Sequence, residues 1–171
     1  RNRKWSKYSV FKANVSDNLE VLSIFSSLKK SKHYLYGLIN AAGVQSPIGK
    51  FVENDMNEWS NNLSINLLGT ANMIHGFLNV NDKSKQCRKI INFSGGGSTS
   101  SRPNLSAYAV SKTAIVRLTE TLADELINHK VDVNSVAPGS VNTQMLEEIL
   151  NANNLAGKEY DIALDRKNKG P

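Results

Sequence analysis

The stretch SAYAVSK, residues 106–112, places a phenol and an ammonium group four residues apart. On a helix that spacing brings Tyr108 and Lys112 to one face, within reach of the same small volume. A phenol with a pKa of about 10 is a poor base at neutral pH, and a neighbouring cation lowers that pKa by favouring the phenolate. The two residue types together can therefore hand a proton to, or take one from, a bound oxygen. Tyr and Lys also share many solvated helix faces, so the pair has to be judged by the elements around it.

Those elements follow from periodicity. YSVFKANV (8–15) is β-rich and ends at Ser16 and Asp17, either of which can cap a helix carrying Leu19, Val21, Leu22, Ile24, Phe25 and Leu28. YLYGLINAAG (34–43) is an apolar run stopped by small residues. A long helix is predicted over 55–79, with Met56, Trp59, Leu63, Leu67, Ile74 and Leu78 near helical spacing. RKIINFSGGG is a short buried strand ending in glycines, and a third helix is predicted over 106–128. VDVNSVAPG (131–139) is a fourth strand.

The order β-α-β-α-β-α-β, with strands too apolar to be covered on one face only, predicts an α/β fold: a doubly wound parallel sheet with helices on both faces. Right-handed crossovers bring the loops after the strands to one edge, where such sheets bind ligands. NAAG, SGGG and APGSVNT all fall at that edge, and so does the start of the Tyr108 helix. The polar stretch 151–171 reads as a lid-like loop or a loose tail.

Composition narrows the class. The chain has 171 residues, of which 40% are apolar and 21% charged, enough for one domain with a hydrophobic core. No apolar run is long enough to cross a bilayer, and the single Cys87 rules out an intrachain disulfide, so a soluble, cytoplasmic protein without membrane association is expected. The net charge of +6 sits in residues 1–32, which carry eight Lys or Arg against Asp17 and Glu20, while the remainder balances. That cluster lacks a recognition motif and interleaves with apolar residues, which argues for a solvated edge and against a nucleic-acid partner. His33, His75 and His129 have no metal-ligand spacing, and no metal is expected.

One dinucleotide signature is missing. No G-x-G-x-x-G opens a helix directly after a strand; Gly95, Gly96 and Gly97 are separated from the next helix by a loop with Pro103, and read as a turn that lets a ligand or another backbone come close.

Taken in order, these motifs resemble the short-chain dehydrogenase/reductase family over residues 8–150. Asn14-Val15 is similar to the pair that lies against adenine, with Asn in place of the usual Asp. Asn40-Ala41-Ala42-Gly43 resembles the turn beside the cofactor, and Asn66 resembles the helix asparagine that holds a water on the proton relay. Tyr108 and Lys112 match the Y-x-x-x-K pair, while Pro138, Gly139, Val141 and Thr143 match the loop at the nicotinamide end. The resemblance implies an NAD(P)-dependent oxidoreductase acting on a small alcohol or carbonyl compound. Tyr108 would be the acid/base, and Lys112 would both tune it and bind the ribose. It also implies a Rossmann-like domain incomplete at both ends, lacking the glycine-rich loop and the last strand. The family's catalytic serine falls at Gly95, with Ser94 next to it as a substitute.

Two other readings stay open: a nucleotide-sugar epimerase or dehydratase, since related folds share Y-x-x-x-K, and a non-catalytic nucleotide-binding relic. Arg1 and Arg3 lean the cofactor toward NADP over NAD. A homodimer or homotetramer is implied for the intact protein, with Trp59, Met73 and Leu122 as candidate contacts.

Overall fold

A computed structural model describes residues 8–31, 34–80, 86–138 and 143–169. The first helix, α1 (Asn18–Lys30), starts where Asp17 accepts hydrogen bonds from the N–H groups of Leu19 and Glu20, and it ends on Lys29 and Lys30. Capping and end charges both favour this placement. Val21 and Phe25, one turn apart, are the side chains that α1 buries.

Three strands follow, β1 (Gly37–Asn40), β2 (Arg88–Phe93) and β3 (Val131–Val136), paired in parallel in the order β1-β2-β3. The register sets Asn40 opposite Asn92 and Ile90 opposite Val133. Side chains alternate along each strand, so Leu38, Asn40, Ile90, Asn92, Val131 and Val133 share one face. The main core forms there, from Val21, Phe25, Ile74, Phe77, Val80, Ile90, Val131 and Val133, with Leu118 and Leu122 packed against it. The opposite face carries Ile39, 65% exposed, and Val136, 42% exposed, in what is a partial form of the expected parallel sheet flanked by helices.

The stretch 8–15, expected as a strand, is not one. It has no ladder partner among the described residues, and Tyr8 and Val10 are exposed. High β-propensity does not make a strand without a neighbour to receive its backbone hydrogen bonds.

The long helix expected over 55–79 is interrupted. It runs as α2 (Met56–Leu63), a π-helical turn over Ser64–Leu68, and α3 (Gly69–Asn79). Asp55 caps α2 by accepting from the N–H of Asn57. Within the turn the N–H of Gly69 reaches back five residues to the carbonyl of Ser64, and the Thr70 hydroxyl donates to the carbonyl of Asn66 at 2.7 Å. Such one-turn bulges re-aim the side chains they carry; here the re-aimed residue is Asn66.

The helix α4 (Ser106–Glu125) ends three residues earlier than expected, in a 3-10 turn at Ile127–His129. After β3 comes α5 (Gln144–Asn151), and the stretch 151–171, expected as a loop or tail, carries α6 (Lys158–Lys169). The polar sequence from α5 to α6 hides a narrow apolar side: Ile149, Ala156 and Ala163 join Leu105 in a second core, with Tyr108, Leu146 and Tyr160 packed around it. The side chain of Glu159 is also buried there, in a two-point pair with Arg102 whose Nε donates to Oε1 at 2.6 Å and whose Nη2 meets Oε2. Among the described residues no helix is long and apolar enough to cross a membrane.

Candidate active site

The first turns of α4 bring Tyr108 and Lys112 to the C-terminal ends of β1 and β2. Lys112 is 5% exposed, and its Nζ donates to the carbonyl of Phe93, the last residue of β2, at 2.9 Å. The same Nζ lies 5.7 Å from the centre of the Tyr108 ring. Burial lowers the Lys112 pKa to about 8. Burial also raises the Tyr108 pKa, and the Arg102 guanidinium pulls it the other way. The phenol is thus protonated at neutral pH, in the form of an acid.

The turn after β1 closes on the same place. A Cβ built on Gly43 would lie 3.2 Å from Asn66 Oδ1 and 3.5 Å from Lys112 Nζ, so three segments distant in sequence meet at one point. Asn66 is fully buried; its Oδ1 accepts from the N–H of Val44 at 2.8 Å, and its Nδ2 faces the Val44 carbonyl, Asn62 Oδ1 and the Ser111 hydroxyl. Ser111 donates in turn to the carbonyl of Tyr108 at 2.9 Å. The Asn66 side chain therefore ties the β1 loop to α4 through protein partners, and its own carbonyl is bonded by Thr70.

Asn40 is committed as well. Its Nδ2 donates to Asn92 Oδ1 at 2.9 Å, Asn92 Nδ2 donates to Thr119 Oγ1 at 2.9 Å, and Thr119 donates to the carbonyl of Ile115. This buried amide chain locks β1 to β2 and β2 to α4, which fixes the height of the Tyr108 turn above the strand ends. Ala41 and Ala42, beyond it, are exposed.

Asn14 and Val15 lie against the start of α3, where a Cβ on Gly69 would meet Val15. Asn14 Oδ1 accepts from the N–H and hydroxyl of Ser16, and Asn72 on α3 donates to the carbonyl of Val15 at 3.1 Å. Pro138 is exposed just after β3, and Thr143 is exposed directly before α5. Gly139 and Val141 lie outside the described residues, as do Arg1 and Arg3, on which the lean to NADP rests. Of the candidate subunit contacts, Met73 and Leu122 pack against the main core, and the Trp59 indole donates to Ser106 Oγ at 3.1 Å.

Ser94 is buried, its N–H donating to the carbonyl of Val136 at 3.0 Å. The side-chain direction that meets the phenol belongs to its neighbour: a Cβ on Gly95 would lie 2.5 Å from Tyr108 Oη. Ser98 is engaged with the carbonyl of Gly95 at 2.7 Å. Arg102 and Glu159 escaped the sequence reading because nothing local links residues 57 positions apart. Ser111 was visible within SAYAVSK but had no assigned task.

The residues fit a nicotinamide nucleotide in their donor chemistry. An ammonium has three N–H donors, and the structure engages that of Lys112 with one carbonyl, which leaves donors for a ribose diol. Comparisons with known proteins agree on the fold. Oxidoreductase UcpA of Salmonella typhimurium is 33% identical over 143 residues, which are 84% of this chain and 54% of that protein. The structure of ElxO with NADP bound is 23% identical with a TM-score of 0.75, over 92% of this chain and 68% of that one. NAD+-bound xylitol dehydrogenase is 22% identical with a TM-score of 0.77, over 85% and 56%. The chain spans about half the length of the curated relatives it matches. The short chain dehydrogenase pattern matches residues 2–154, which take in the turn after β1, the Asn66 bulge and the Tyr108 helix, and the chain belongs to that family.

Proposed function

We propose that the protein is an NAD(P)-dependent oxidoreductase for a small alcohol or carbonyl compound, with Tyr108 as the group that exchanges the proton on the substrate oxygen. The observation that carries this reading is the pairing of a half-buried, protonated phenol with a buried ammonium one helical turn away, at the C-terminal edge of a parallel sheet. A nicotinamide cofactor, when bound, supplies or accepts the hydride. The protein's own residues do the rest. Lys112 donates to the ribose hydroxyls and, as a cation, favours the phenolate that Tyr108 becomes when it gives up its proton. Arg102 adds to the same effect. Asn66 and Ser111 hold the Tyr108 turn against the β1 loop, and Asn40 holds the strand end below it. The second core shields one side of the phenol from water.

General acid–base catalysis by a positioned side chain contributes roughly a hundred- to ten-thousandfold in rate. The test compares wild type with Tyr108→Phe, following oxidation of NADH and NADPH with a panel of small aldehydes and ketones. Loss of turnover on that scale, with cofactor affinity from nicotinamide fluorescence unchanged, supports the assignment. Equal turnover in the two proteins refutes it.

A further inference from the structure

The backbone at Gly95 has φ 177° and ψ 175°, an extended conformation open to any residue, so conformation does not require a glycine there. Space does. A Cβ at this position would stand 2.5 Å from Tyr108 Oη, well inside contact distance, but 3.4 Å from Cζ and 3.7 Å from Cε1, which are ordinary contacts. The hydroxyl alone occupies the room that a side chain would take.

Neither side of this contact has an easy retreat. The strand end is pinned because the N–H of Ser94 bonds to the Val136 carbonyl at 3.0 Å. The turn is pinned because the carbonyl of Gly95 accepts from both the N–H and the hydroxyl of Ser98, at 2.9 and 2.7 Å. Gly97 is already tight against α4, with its Cβ direction 2.9 Å from Ala109 Cα and 3.4 Å from Arg102 Cγ. On the other side, the Tyr108 ring packs against the second core of Leu105, Ile149, Ala156 and Ala163.

We infer that Gly95 is the positioning residue for Tyr108: the missing side chain is the seat of the phenol oxygen, and a side chain of any size at 95 either displaces it or is overpacked against it. This inference rests on Tyr108 being the proton-transfer group only for its effect on turnover; the seating itself is a packing statement. It gives the departure at the family's serine place a specific meaning. A serine at 95 and the phenol in its present seat exclude one another, so restoring the serine does not repair the site.

The test needs no turnover. Gly95→Ala is made in wild type and in Tyr108→Phe, and two quantities are read: Tm in both backgrounds, and the pH titration of the Tyr108 Cζ signal by NMR, assigned by its loss in Tyr108→Phe. If the phenol is held, the new methyl is overpacked and Tm falls by about 3–10 °C in wild type and by much less when the hydroxyl is gone. If the phenol swings out, it leaves the burial that raises its pKa, and Tyr108 titrates at lower pH in Gly95→Ala. Either change carries the coupling. Equal Tm effects in both backgrounds together with an unmoved titration overturn it. Gly95→Ser is the functional arm. It is expected to turn over more slowly than wild type, and a gain in rate overturns the claim that serine and seated phenol exclude one another. Failure of Tyr108→Phe to lose activity strikes the proposed function and leaves the seating test intact.

Discussion

Lys112 is the clearest place where the site opposes stability. Burial lowers its pKa from 10.5 to about 8, with a carbonyl as its hydrogen-bond partner. At one pKa unit per 1.4 kcal/mol, holding the charged form in place costs about 3 kcal/mol. The sign follows from proton counting. Below pH 8 the lysine is protonated in both folded and unfolded chains, so the cost is constant. Between pH 8 and 10.5 the unfolded chain binds the proton and the folded one does not, so folding stability rises with pH by that amount, and above 10.5 the gain is complete. Lys112→Met removes the titration. It also leaves the Phe93 carbonyl without its donor, which costs about 1–3 kcal/mol and largely cancels the gain at pH 7. The measurement is therefore urea unfolding of both proteins from pH 7 to 11. The wild type is expected to gain about 3 kcal/mol relative to Lys112→Met across pH 8 to 10.5, with groups common to both proteins dropping out of the difference. A difference that stays flat across that range would show that Lys112 is not desolvated, and the tuning of Tyr108 by a strained cation would go with it.

The remaining predictions concern what holds the pair. Reductive turnover is expected to decline as pH rises through about 8, where Lys112 loses its charge; a plateau through pH 9.5 in initial rates at saturating cofactor would count against a role for the ammonium. Asn66→Ala removes an amide that bridges the β1 loop, α2 and α4 at a fully buried position, and a loss of about 2–4 kcal/mol by denaturant unfolding is expected. Glu159→Ala strands a buried guanidinium, for which about 3–5 kcal/mol is typical, and faster amide hydrogen exchange over 158–169 checks that α6 is released.

The sequence made the order of elements legible because helix and strand periods are local. It also pointed to candidate site residues, because loops after parallel strands must share an edge whatever the exact packing. The turn after β1 does come against Asn66 and Lys112 at Gly43, while Asn40 itself bonds Asn92 within the sheet. What stayed illegible was non-local. The strand expected at 8–15 needs a partner, and propensity does not supply one. The break in the long helix depends on Thr70 bonding the Asn66 carbonyl and on Val44 taking the Asn66 amide, and neither contact shows in the pattern of apolar residues, which runs smoothly through the bulge. The helix at 158–169 was hidden because its apolar side is narrow, carried by Tyr160 and Ala163, and these become part of a core only when Leu105 and Tyr108 arrive from the other side.

That second core bears on how the site works as a unit. Tyr108 stands between two packed regions: α4 below Lys112 rests on the sheet through Thr119, Leu118 and Leu122, while the ring itself rests on α5 and α6. The first region is tied by an unbroken run of buried hydrogen bonds from Asn40 to Ile115, and its geometry is fixed by β-sheet register. The second is held by small apolar contacts and one buried ion pair, Arg102 with Glu159, whose guanidinium is also the charge that lowers the phenol's pKa. A displacement of α6 therefore changes two things together: the dryness around Tyr108, which raises its pKa, and the pairing of Arg102, which sets how much positive charge the phenol feels. Exposing the ring lowers the pKa by relieving desolvation, and freeing Arg102 from its carboxylate lowers it further, so both effects act in the same direction. Glu159→Gln keeps the shape and removes the carboxylate charge. It is expected to lower the Tyr108 titration midpoint seen by Cζ NMR without loosening the main core, and an upward shift would mean that Arg102 reaches the phenol only while Glu159 holds it.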